Sequence, residues 1–116
     1  MTTHTRKALA DLRLELDALD RFLVETLARR QRLVEAIAGL KGDPARVRDP
    51  DRVEEVLANV LRAARVAGLS PAIAEPLWRL LVERCAEHES VWLGARAERS
   101  RDSCCGCEKG PAGPGL

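Results

Sequence analysis

"RRQRLVEAIAGLK", residues 29 to 41, decides how the chain is read. Upstream, Leu9, Leu12, Leu16, Leu19 and Leu23 step by three and four, and Leu33, Ile37 and Leu40 resume that alternation. Such spacing lays one apolar stripe along a helix. Thr26 and Arg30 fill the two positions skipped between the leucines. A guanidinium on a buried seam is expensive unless something negative meets it. Arg30 therefore needs either a carboxylate of the protein or a small anion.

Outward from this stretch, no proline and only Gly39 interrupts the pattern from Arg6 to Lys41, and "GDPAR" (42–46) stops it. The spacing predicts a first helix from about Arg6 to Lys41, roughly 54 Å long at 1.5 Å per residue. A compact 100-residue domain is only about 26 Å across, twice its ~13 Å radius of gyration. So long a rod cannot bury its seam against its own chain, and a partner, most simply a second copy, is implied. The second helix opens at "RDPDR" (48–52), where Asp49 can cap and Pro50 takes the first helical position. Its stripe is Val53, Val56, Leu57, Val60, Leu61 and Ala64, and Gly68 ends it as a left-handed cap. Ser70 and Pro71 repeat the start signal for a third helix carrying Ile73, Leu77, Leu80, Leu81, Val91 and Trp92. Pro76, inside that helix, removes one backbone hydrogen bond and predicts a slight bend or a frayed start. The fold class expected is all-α, a three-helix chain with one very long first helix.

Composition agrees. The 116 residues make at most one domain, aromatic residues are only two Trp and one Phe, and the commonest residues are strong helix formers. A formal net charge of +1 advertises no large single-sign field, so neither nucleic acid nor an anionic membrane is expected as a partner. The start, "MTTHTRKALADL", lacks the apolar core of a signal peptide, and no apolar run approaches the roughly 18 residues of a membrane span. A cytoplasmic address is expected. Of four cysteines, Cys104, Cys105 and Cys107 crowd into "SCCGCEKGPAGPGL" (103–116) and Cys85 stands apart. Without a nearby histidine they miss four-ligand metal spacing, so no metal is assigned. The expected organisation is a helical domain over residues 1–99 and a disordered Cys/Gly/Pro-rich tail over 100–116.

The cations carry the functional reading. Arg30 and Lys41 are eleven residues apart, close to three turns, so they share a helical face about 16 Å apart. Two long cationic side chains leaning together across that distance suit a small dianion. The plainer alternative pairs Arg30 with a carboxylate and leaves Lys41 as a cation at a helix C-terminus. Arg48 and Arg52 flank the start of the second helix, where free N–H groups also favour anions. Arg13 lies 28 residues before Lys41, roughly 42 Å along the rod, and can join such a site only from another subunit.

Together "LRLELDALD", "LARRQRLVEAIAGLK", "VRDPDR", "AGLSP" and "LWRLLVERCAEHE" resemble, in order and spacing, the all-helical class of chorismate mutases over about residues 7 to 93. The resemblance implies an intertwined homodimer with two sites, each borrowing one arginine across the interface. It also implies rearrangement of chorismate to prephenate without a cofactor, through preorganisation and electrostatic stabilisation. It puts Arg30 and the Arg13 of a second subunit on the substrate carboxylates, and Lys41 on a carboxylate and the ether oxygen. Arg48 and Arg52 would line the pocket, and Asp49 would contact substrate through its backbone or tie down the helix start. Some small mutases of this kind gain full activity with a partner enzyme, so the resemblance admits an activating partner too.

Three positions depart from the best-known pattern. Val53 replaces a glutamate that holds the ring hydroxyl, Cys85 a serine facing the pocket, and Glu89 a glutamine that donates to the ether oxygen. A carboxyl group donates only when protonated. These departures keep two other reactions open on the scaffold: a 4-amino-4-deoxychorismate mutase and an isochorismate-pyruvate lyase. A reading of another class is a non-catalytic helical dimer that binds a partner protein.

Overall fold

Thr2 opens the first helix: its hydroxyl accepts from the Thr5 N–H at 3.1 Å and its carbonyl from the Arg6 N–H at 3.0 Å. The first satisfies an N–H group that has no partner inside the helix, and the second is the first bond of the helical ladder. The computed structural model describes residues 2–42 and 49–112, with side chains described to residue 99. It has three helices among them and no strand: α1 Thr3–Lys41, α2 Pro50–Ala67 and α3 Pro71–Ala112. The start of α1 lies three residues ahead of the expected Arg6, because the Thr2 cap is stronger than the apolar pattern that it precedes. Gly42 ends α1 at φ 72°, its N–H donating to the Ala38 carbonyl at 2.9 Å.

The expected punctuation of α2 is present. Asp49 is extended (φ −130°, ψ 97°) and its carboxylate accepts from the Arg52 N–H at 3.2 Å, with Pro50 next. Gly68 closes the helix in the left-handed region at φ 79°, and the Leu69 N–H reaches the Ala64 carbonyl at 2.8 Å. Ser70 starts α3, its hydroxyl accepting from the Ala72 N–H at 3.2 Å and its carbonyl from the Ala74 N–H at 2.9 Å. The first turn of α3 is therefore intact, and the helix continues through Pro76. Its backbone also runs on past residue 99, where a separate tail was expected, as far as Ala112.

The chain divides into two compact units, Met1–Leu33 and Val34–Leu116. The first is α1 helix without a cover of its own: Leu12, Leu16, Leu19 and Leu23 are 62%, 56%, 61% and 59% exposed. In the second, Leu57 and Ala64 of α2 and Ala74 of α3 are buried, and Arg79 of α3 meets Glu54 of α2 at 3.8 Å. The end of α1 packs on α3 through small residues. Ala38, 1% exposed, clusters with Ala86 and Leu93, flanked by Trp92. Alanine at the contact lets the helices approach closely. Ile73, Leu77, Leu80 and Val91, expected on apolar faces of α3, are exposed in the single chain.

Candidate active site

The last two turns of α1 set the geometry. Glu35 meets His88 of α3, with 2.7 Å between Oε2 and Nε2. Ala38 meets Ala86 and Leu93. A Cβ on Gly39 would lie 3.5 Å from Trp92 Cη2 and overlap the Arg96 guanidinium, which sits 5.4 Å from the Trp92 ring centroid. Glu35 meets His88 while Gly39, one turn on, meets Trp92 and Arg96, so the two segments run in the same direction.

This register fixes which faces the candidate residues occupy. Lys41 follows Ala38 by three and so shares the face of α1 that meets α3, although its side chain is exposed. Glu89 follows Ala86 by three and precedes Leu93 by four, which puts it, half-buried, on the face of α3 that meets α1. Along the shared direction Lys41 lies six residues beyond Glu35 and Glu89 one beyond His88, an offset of about 8 Å. Helical side chains lean toward the N-terminus, and in helices that run the same way both do, so only the longer reach of the lysine shortens that offset. Cys85 stands one turn before Glu89, also half-buried.

The start of α2 supplies the other candidates within this unit. Val53, half-buried, precedes the buried Leu57 by four and shares its face. The Asp49 carboxylate ties down the helix start as its cap. Arg52 is exposed and its guanidinium pairs with Glu55 one turn on. An exposed i,i+3 pair is worth well under about 1 kcal/mol, so a dianion could take over the guanidinium at little cost. Arg48 lies outside the described residues. Arg13, exposed, and Arg30, half-buried, belong to the N-terminal unit. Among the described residues no group of three or more His, Cys, Asp or Glu side chains could hold a metal ion. No described helix is long and apolar enough to cross a membrane.

The sequence model of the chorismate mutase type II family matches residues 12–90. The chain belongs to that family. The chorismate mutase type II match spans every candidate residue from Arg13 to Glu89. The chain is also similar to the isochorismate pyruvate lyase of Pseudomonas aeruginosa, 32% identical over 89 residues that cover 76% of this chain and 88% of the lyase. Family membership supports chorismate mutase-type function and a chorismate-like substrate. Sequence reasoning missed Glu35 and His88. They stand 53 positions apart among many other charged and polar residues, and no local pattern pairs them.

Proposed function

We propose that the protein is a chorismate mutase that rearranges chorismate to prephenate in a site completed by a second copy of the chain. The observation that carries the proposal is a cation set, Arg13, Arg30, Lys41 and Arg52, kept within a match to the chorismate mutase type II family. A non-catalytic dimer would have no reason to keep it. The reaction is pericyclic, needing neither a covalent intermediate nor a cofactor. The protein has to fold a flexible dicarboxylate into its reactive shape and stabilise the negative charge that grows on the ether oxygen. Arg30 and the Arg13 of a second copy take the carboxylates. Lys41 takes a carboxylate and the ether oxygen. Glu89, protonated, donates to that oxygen, while Arg48 and Arg52 line the pocket with Val53 and Cys85.

A second reading, isochorismate-pyruvate lyase, is favoured by two observations: the similarity to the Pseudomonas lyase and the apolar Val53, which cannot hold a ring hydroxyl. The exposed leucines of α1 support the homodimer, because four large apolar side chains more than half exposed in one stripe favour burial by roughly 1–2 kcal/mol each. One assay tests the function. Purified protein is offered chorismate, isochorismate and 4-amino-4-deoxychorismate in turn, and the products are identified by mass. Prephenate as the fastest product bears out the mutase. Pyruvate with salicylate from isochorismate assigns the lyase, faster conversion of the amino substrate assigns the aminodeoxychorismate mutase, and no conversion of any would leave the non-catalytic dimer.

A further inference from the structure

We infer that Glu35 and His88 are positioning residues that hold the last turns of α1 on α3 in the register that aims Lys41 toward Glu89. The inference rests on the proposed role of Lys41 and Glu89, and goes beyond it to residues outside the cation set.

The Glu35–His88 bond, at 2.7 Å, is a side-chain hydrogen bond joining α1 to α3. Its partners are 20% and 40% exposed, so the bond is partly shielded from water and its geometry is better defined than that of a surface pair. One turn further on along both helices, Gly39 gives room for Trp92 and the stacked Arg96. The two contacts form successive rungs along one edge of the helix pair. Around the α1 axis Glu35 stands about 60° to one side of Ala38 and Lys41 about 60° to the other, at 100° per residue. The rungs therefore hold α1 from the side away from Lys41. The alanine contact alone would not fix this arrangement. Ala38 and Ala86 present one methyl each, and apolar contacts between small groups are non-directional. A slide or roll of the last α1 turn by an ångström would cost that contact little but would move the Lys41 ammonium out of place. A misplacement of that size can cost about a hundredfold in rate. The Glu35–His88 bond supplies the directional restraint that the methyl contact lacks.

The test combines turnover with hydrogen exchange in the full-length protein. Glu35→Ala and His88→Ala should each lower kcat by about ten- to a hundredfold, with KM within about twofold, and the double variant should be no worse than either single one. Amide exchange of residues 36–41 should rise about tenfold while that of residues 57–64 is unchanged. Glu35→Gln and His88→Gln keep an acceptor and a donor at similar reach, and should recover most of kcat if alanine lowers it through the lost bond. Faster exchange or a lower Tm with kcat unchanged would overturn the inference, since the pair would then only stabilise. Unchanged exchange in both alanine variants would overturn it as well. A wild-type protein that converts none of the three substrates would instead sink the functional reading, and the exchange of residues 36–41 would still decide whether the bond pins the helix end.

Discussion

Lys41 ends α1 on the face that meets α3, and Glu89 lies on the face of α3 that meets α1, about 8 Å back along the shared direction. In the proposed reaction Lys41 opposes a charge that develops only on the way to the transition state. Lys41→Ala should therefore lower kcat by about 10²–10³, as loss of an oxyanion donor does, and weaken ground-state binding by less. A variant with unchanged kcat and raised KM would place Lys41 away from the reacting oxygen. Glu89 tests the sign of the electrostatics. An ionised carboxylate would repel the growing oxyanion, so wild-type turnover of chorismate should fall as pH rises through the Glu89 pKa. Glu89→Gln, a neutral donor of the same shape, should flatten that profile and preserve or raise activity near neutral pH. A flat wild-type profile, unmoved by the substitution, would separate Glu89 from the ether oxygen. The cations were legible in the sequence because Arg30 breaks an otherwise apolar seam. The carboxylate–imidazole bond was not, because it depends on which turns of two distant helices meet.

Helix ends were the most legible elements, since each is written in two or three adjacent residues. Asp49–Pro50, Gly68 and Ser70–Pro71 cap or close helices as the sequence predicts, and the joint between α2 and α3 is only Gly68, Leu69 and Ser70. Asp49→Ala removes the acceptor for the Arg52 N–H and should cost about 1 kcal/mol in urea unfolding. Gly68→Ala forces a Cβ into the left-handed region at φ 79° and should cost a similar 1–2 kcal/mol, roughly. Loss of less than about 0.3 kcal/mol in both would mean that packing between α2 and α3 sets the helix ends without the caps. Register between α1 and α3 was not legible. Apolar spacing identifies the face that each helix buries but not the level at which alanine meets alanine. The sequence likewise assigned Ile73, Leu77, Leu80 and Val91 to apolar faces without saying whether this chain covers them, and within one chain they stay exposed.

At the scale of the whole molecule the long first helix is the defining feature. Leu12, Leu16, Leu19, Leu23 and Leu33 of its seam are more than half exposed although they follow the pattern of a buried stripe. The all-α class and the three helices were legible because period and caps are local properties. For assembly the sequence offers only an expectation, from a helix longer than a compact domain of this size can cover. The proposed assembly puts Arg13 of one copy with Arg30 and Lys41 of another, and so makes the site a property of two chains. Complementation measures that directly. Arg13→Ala and Lys41→Ala chains, each inactive as a homodimer, are mixed one to one, unfolded and refolded together, and assayed on the substrate that the wild type converts. Random pairing makes half the dimers mixed, and each mixed dimer has one intact site of two, so the account predicts about a quarter of wild-type activity. Activity in the mixture no higher than that of the separate variants would contradict a site shared between two copies.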